Sequence, residues 1–403
     1  LPAPPQGGEH YVASTIHRRI YRQKEFSPDA ANFEPGFNRE KHALFIVDEA
    51  SMIANEGLSG GMFGSGRLLD DLVDYVYSGL DCRLMLVGDT AQLPPVGEEL
   101  SPALNPEKLR AYGLSVETAC LTEVVRQAEE SGILWNATSL RRLLAEGQLC
   151  GFPRLRTRGF TDVRLMPGSE LIDALEDSYY QHGTDQTIVV TRSNKRANVY
   201  NNGIRARILD HQEELVCGDQ LIVAKNNYYW PDRLREKRME FIANGDVARV
   251  LRTWNERELY GFRFCDATLS FPDYDDCEMT LTLLLDTLQA EAPALSRERQ
   301  QQLFDSVCAD YPEIKSRRKL MQKIKEDPYY NALQVKFAYA VTCHKAQGGQ
   351  WQHVYIDQGY VTPEMLSPEY LRWLYTAFTR ATERIYLVNW PKGQIEGEAE
   401  QTP

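Results

Sequence analysis

The sequence predicts an α/β protein of two parallel-sheet lobes, the second interrupted by an inserted domain. Three observations predict it. Short apolar runs alternate with stretches of helical periodicity, the pattern of buried parallel strands joined by crossover helices. Two of those runs end in acids, which puts carboxylates at the strand ends where α/β sheets bind their ligands. The 403 residues, 25% charged and 43% hydrophobic, have ordinary globular composition, excluding a fibrous or disordered chain, and at roughly 100–200 residues per domain they fill two or three domains.

Residues 1–140 read as the first lobe. Within it, Leu44-Phe45-Ile46-Val47 is a buried strand ending in Asp48 and Glu49. A glycine-rich stretch from Gly57 to Gly66 leads into a helix with Leu69, Leu72, Val73 and Val76 on one face. Leu84-Met85-Leu86-Val87 is the next strand and ends at Gly88-Asp89. Residues 21–41, with Phe26, Phe33 and Phe37, form either a small projecting pin or a surface loop. Residues 141–170 carry Arg141, Arg142, Arg154, Arg156, Arg158 and Arg164 around a Gly/Pro-broken segment that reads as a linker or groove edge.

The second lobe is expected over 171–250 and 331–395. Its strands are Ile188-Val189-Val190, the alternating Val335-Phe337-Tyr339-Val341, Val354-Tyr355-Ile356 and Ile385-Tyr386-Leu387-Val388, with a helix near 367–380. Residues 251–330 are the insertion, β-like at first and then polar and helix-prone, with Lys315, Arg317, Arg318 and Lys319. A solvated helix face is the plain reading of that basic run, and a nucleic-acid contact the functional one.

The charge balance is acidic, with 45 Lys+Arg against 57 Asp+Glu and a net charge of −12. A uniformly basic nucleic-acid coat is thereby excluded, while a local basic groove is not. The eight cysteines include no CxxC pair to seed a zinc ribbon or redox motif. Buried free thiols in a reducing compartment are the expectation. No apolar run approaches the ~18 residues of a membrane helix, so a cytoplasmic protein without a membrane partner is expected.

Two acids after four apolar residues suit phosphoryl transfer to water: Asp48 can hold a Mg²⁺ shell and Glu49 can polarise the attacking water. In Gly88-Asp89-Thr90-Ala91-Gln92-Leu93-Pro94-Pro95-Val96, the Gln92 amide can report a γ-phosphate beside that metal. Pro94 and Pro95 stiffen the loop that follows, or simply make a turn. Three further blocks complete a set: Val125-Arg126-Gln127, Thr342-Cys343-His344-Lys345-Ala346-Gln347-Gly348 and Tyr375-Thr376-Ala377-Phe378-Thr379-Arg380-Ala381.

In this order the set resembles the superfamily 1B DNA helicases of the RecD/Dda type, over about Ala13 to Trp390. The resemblance implies two RecA-like lobes of the P-loop NTPase fold, ATP and Mg²⁺ as cofactors, and 5′→3′ movement on single-stranded DNA in a bacterial cell. It also implies work in replication, repair or recombination, alongside other proteins of those processes. Asp48 becomes the metal ligand, Glu49 the catalytic base, Gln92 the γ-phosphate sensor, and Arg126 and Arg380 arginine fingers. Gly88, Asp89, Gln347 and Gly348 fall on the nucleotide side. Thr15, His17, Pro94, Pro95, Thr342, His344 and Lys345 fall on the DNA side, and the insertion becomes an SH3-like barrel extended by helices. Tyr228, Tyr229 and Trp230, followed by the Asn244-Gly245-Asp246 turn, are candidate stacking platforms.

The sequence departs from the family in one respect. An ATP motor needs the phosphate cradle G-x-x-x-x-G-K-[ST] ahead of the acidic pair, and no such string occurs in the 403 residues. The nearest, Gly61-Met62-Phe63-Gly64-Ser65-Gly66-Arg67-Leu68, has Arg for Lys and Leu for the hydroxyl, and lies after Asp48. Ala3-Pro4-Pro5-Gln6-Gly7-Gly8 stands where the family has Ala-Pro-Thr-Gly-Arg. The expectation is a first lobe without its opening strand, cradle and helix, hence weak ATP binding and an exposed apolar sheet surface. The alternatives are a non-catalytic DNA-binding or partner-binding remnant of such a helicase, and an exonuclease-complex subunit using Asp273 and Glu313-Ile314-Lys315.

Overall fold

The computed structural model describes residues 14–23, 33–55, 64–121, 131–147, 151–239 and 241–397. The chain forms two compact units, one of residues 1–90 and 94–121, the other of 91–93 and 122–403.

In the first unit, helix α1 (Ile16–Ile20) runs into strand β1 (Tyr21–Gln23), which pairs antiparallel with β2 (Phe33–Pro35). The segment between 21 and 41 is thus hairpin-like at its base, while Phe26 lies outside the described residues. Strands β3 (Leu44–Val47) and β4 (Arg83–Leu86) form a parallel pair in register from Leu44↔Arg83 to Val47↔Leu86. Helix α2 (Leu68–Tyr77) connects them, and the short α3 (Pro106–Arg110) follows, started by the Asn105 side chain.

Alternation along the strands sorts the side chains into two faces. Phe45, Val47, Leu84 and Leu86 join Leu69, Leu72, Val73 and Val76 of α2 in one core. On the opposite face Leu44 is 53% exposed, Ile46 64%, Met85 48% and, just past β4, Val87 43%. Parallel strands are normally covered on both faces; here one face of the pair is apolar and exposed. Behind α2, Tyr21 Oη donates to Asp71 Oδ2 at 2.7 Å, both residues being buried. A side chain at Gly64 would strike that carboxylate, and Gly64 has φ +47°.

The second unit opens with α4 (Gly132–Glu146), β5 (Val163–Met166), α5 (Leu171–His182), β6 (Thr187–Thr191) and α6 (Asn194–Arg207). Then come β7 (Gln220–Val223), α7 (Tyr229–Leu234), β8 (Val247–Leu259), β9 (Phe262–Phe271) and β10 (Cys277–Leu284). Helices α8 (Arg297–Ala309) and α9 (Arg317–Lys325) precede β11 (Leu333–Phe337), β12 (Ala340–Thr342) and α10 (Cys343–Ala346). The chain closes through β13 (Trp351–Asp357), α11 (Pro368–Phe378) and β14 (Ala381–Val388).

Five strands, in the order β12-β6-β13-β14-β5, make an all-parallel sheet, and β10-β11-β7-β8-β9 close into a barrel. This parallel α/β topology fits the RecA-like fold class expected from the sequence. Three boundaries differ. The stretch 141–170, read as a linker, contributes the end of α4 and the sheet-edge strand β5, and α4 belongs to the second unit rather than the first lobe. The barrel draws β7 and β11 from outside 251–330. Val335 to Val341 is not one strand: Val335 and Phe337 point into the barrel's core, and after Ala338-Tyr339 the chain enters the parallel sheet, where Val341 joins a different core. Every position of β11 is buried, so the apparent alternation carried no information about a single face.

Among the described residues no helix is long and apolar enough to cross a membrane. The described cysteines are all free, but Cys120 and Cys217 are exposed rather than buried.

Candidate nucleotide and nucleic-acid site

In the first unit the two strand ends meet through the backbone. Ala50 N–H donates to Val87 O at 2.8 Å, and the Ser101 hydroxyl shares its proton between Ala50 O and Ile53 O, each 2.8 Å away. Asp48 is exposed and accepts the Glu49 N–H at 2.8 Å. Glu49 is held at φ 52°, ψ 37°, a left-handed conformation that costs a non-glycine residue and that clusters at functional turns. A β-carbon at Gly88 would lie 2.9 Å from the Ser51 nitrogen, so Gly88 is there to let β4's end approach the acidic turn. Asp89, half-buried, follows directly. Thr15 caps α1 by accepting the Arg18 N–H at 3.3 Å. His17 sits 5.7 Å from Tyr21, its pKa lowered by burial.

In the second unit, Ala91-Gln92-Leu93 is clasped by two of the later blocks. Leu93 N–H donates to Thr376 Oγ1 at 2.9 Å, and Gln347 Nε2 donates to Leu93 O at 2.9 Å. Gln92 Oε1 is buried with no hydrogen-bond partner among the described residues, a polar atom placed for a donor. Pro94 and Pro95 follow on the chain, in the first unit. Gly348, at φ +83°, ends the helical turn of α10 and its β-carbon would meet nothing, so it is needed for its backbone angle alone.

Lys345, on the same α10, donates through Nζ to Val223 O at 3.2 Å and to Asn244 Oδ1. It therefore joins the sheet to the barrel turn Asn244-Gly245-Asp246, where Gly245 takes φ +104°. Burial, and then the charge of Lys336, bring the Lys345 ammonium down to about 8. Asp246 in that turn is pushed up to about 6, chiefly by burial, while accepting from Ala243 N–H at 2.7 Å. Thr342 is half-buried at the end of β12 and His344 is exposed.

Arg380 is 4% exposed, and its guanidinium donates to Thr376 O, Gly349 O and Thr379 Oγ1 at 3.0–3.2 Å. A role as a finger requires it to exchange those bonds for phosphate oxygens. Arg126 lies outside the described residues. Of the three aromatic residues suggested as platforms, Trp230 is buried with Nε1 on Asn331 O, and Tyr228 stacks on Phe241 at 4.9 Å. Trp230 is therefore core.

An aromatic surface that the sequence pattern does not reveal lies at Trp135, 37% exposed, with the Arg156 guanidinium 5.4 Å from its ring and 5.2 Å from that of Phe160. Asn136 clamps the Arg156 backbone with Nδ2 on Arg156 O at 2.9 Å and Oδ1 on Arg156 N–H at 2.8 Å. Arg154, Arg158 and Arg164 are exposed along the same stretch. The arginine run was a signal for this surface, but Trp135 sits on a helix face that reads as amphipathic core. Asp273 and Glu313 do not enter any metal-spaced group among the described residues.

The residues present fit part of a nucleotide site. Asp48 and Glu49 at the strand end suit Mg²⁺, which takes one or two carboxylates and several waters. They do not fit the triphosphate, because among the described residues no loop carries the cradle's lysine and hydroxyl.

Residues 337–388 match the family of the UvrD-like helicase C-terminal domain. That segment contains both Thr342–Gly348 and Tyr375–Ala381, the blocks whose side chains grip Leu93 and the barrel turn. An uncharacterized protein of Acanthamoeba polyphaga mimivirus is 22% identical over 400 residues, covering 85% of this chain and 74% of that protein. A structure of two coordinating Pif1 helicases at forked double-stranded DNA aligns at TM-score 0.42 and 13% identity, over 95% of this chain and 80% of the other. Bacteroides Pif1 in complex with ADP-AlF3 and single-stranded DNA aligns at TM-score 0.40 and 15% identity, over 86% and 70%. At these scores the structural likeness is loose and carries no argument; what the comparisons show is a UvrD-like helicase C-terminal match over residues 337–388.

Proposed function

We propose that the chain is the DNA-gripping and coupling body of an ATP-dependent 5′→3′ DNA helicase or translocase serving replication, repair or recombination. The observation that carries this reading is α10 and the residue after it. Lys345 reaches the Asn244 turn, while Gln347 holds the Leu93 carbonyl next to Gln92. One turn of helix thus links a cation suited to a DNA phosphate with the segment suited to sensing a nucleotide, and a motor needs that link. Asp48 and Glu49 serve Mg²⁺ and water, and Arg126 and Arg380 the phosphates, once a triphosphate is held. Thr15, His17, Thr342 and His344 add hydroxyl and imidazole contacts to the strand. Trp135 with Arg156 offers a base-stacking platform.

The second reading, a DNA-binding remnant without ATP turnover, is favoured by the lack of a cradle string in the 403 residues. Two titrations test both. The chain should bind oligo(dT) more tightly than a blunt duplex, and should bind a fluorescent ATP analogue more weakly than micromolar. Preference for duplex, or no DNA binding, overturns the helicase reading. Micromolar analogue binding with Mg²⁺-dependent turnover overturns the remnant reading and the expectation of weak ATP binding.

A further inference from the structure

At the amino-terminal end of the parallel sheet three ligand-type side chains converge. His182 ends α5, His353 lies near the start of β13, and Glu383 near the start of β14. One ligand atom of each lies within 4.8 Å of the other two, the one such convergence among the described residues, and the imidazole centroids are 4.1 Å apart.

The hydrogen bonds around the pair settle which nitrogens are available. Tyr355 Oη donates to Ala174 O at 2.6 Å, so it accepts from the Ser178 hydroxyl at 2.7 Å. Ser178 Oγ, its proton spent, then accepts from His353 Nδ1–H at 2.8 Å. His182 Nδ1 likewise donates to Gln352 Oε1, which can only accept. Both rings are thereby fixed as the tautomer with a lone pair on Nε2. This is the outer support that metal-ligating histidines ordinarily have. One ring nitrogen from each histidine and a carboxylate oxygen thus share one spot, a donor set that suits a cation. Imidazole donors suit Zn²⁺, Co²⁺ or Ni²⁺ rather than Mg²⁺ or Ca²⁺. Arg164 and Arg384 act on His353 electrostatically, which weakens the hold on a dication.

We propose that His182, His353 and Glu383 form a transition-metal site of the Zn²⁺ type that ties the end of α5 to the starts of β13 and β14. Three protein ligands leave one position of a tetrahedral ion for water. The site is independent of the helicase reading, since none of the residues assigned to nucleotide or DNA takes part.

The test is Co²⁺ titration of the reduced, untagged chain, followed by visible absorption, with Zn²⁺ as competitor. The expected result is one equivalent bound at micromolar concentration, weak visible bands without an intense thiolate band, displacement by Zn²⁺, and a melting temperature raised by Zn²⁺. His182→Gln and Glu383→Gln, neither of which empties a buried position, should each weaken binding by about 10-fold or more and abolish the Zn²⁺ shift. Their metal-free melting temperatures should match that of the unmodified chain. No binding up to about 100 µM, a thiolate band that assigns the ion to cysteines, or undiminished binding in both variants would overturn the proposal.

Discussion

Lys345 is held where its charge is costly, and that makes its contribution pH-dependent. Burial and Lys336 lower its pKa to about 8, so the ammonium is charged at pH 7 and largely neutral at pH 9. If it meets a DNA phosphate, affinity for single strands falls as pH rises through 8. Lys345→Arg, which stays charged, flattens that fall, and anisotropy titrations at three pH values read it. Ser101 is the counterpart in the first unit. Its hydroxyl serves two carbonyls of the acidic turn, so Ser101→Ala should cost about 1–3 kcal/mol in urea unfolding. Lys345 and Gln347 were legible because their block has a fixed spacing. Ser101 was not, because a hydroxyl acting on backbone far along the chain leaves no local pattern.

Among the elements, the β3–β4 pair reads most directly from sequence and yet behaves least like an ordinary parallel pair. Its apolar run predicted strands buried on both sides, but Leu44, Ile46, Met85 and Val87 face outward. Ile46→Gln should therefore reduce concentration-dependent association in light scattering without lowering the melting temperature, since no packed contact is lost. A drop in melting temperature would mean that the face is covered. The barrel was harder to see. Its strands come from three separated stretches, and β11 is buried throughout, so neither spacing nor alternation marks where the sheet ends and the barrel begins. The same difficulty hid α4, whose Trp135 shares a helix with the buried Ile133, Ala137 and Leu140. Trp135→Ala should weaken oligo(dT) binding by about 1–3 kcal/mol, the range for one stacked base, while blunt-duplex binding stays unchanged.

At the scale of the whole molecule, a net charge of −12 means that attraction to DNA must come from a few placed cations. On the proposed function, Lys345 and the arginines from Arg141 to Arg164 are those cations in the second unit, whose parallel sheet and barrel are joined through Lys345 and the Asn244 turn. The central claim is that this junction grips single-stranded DNA. It is tested most directly by titrating fluorescein-labelled oligo(dT) against the unmodified chain and Lys345→Ala over a salt series. The account predicts micromolar binding, weakened in the variant, with the slope of log affinity against log salt reduced by about one. Equal affinity and equal slope for the two proteins would contradict it.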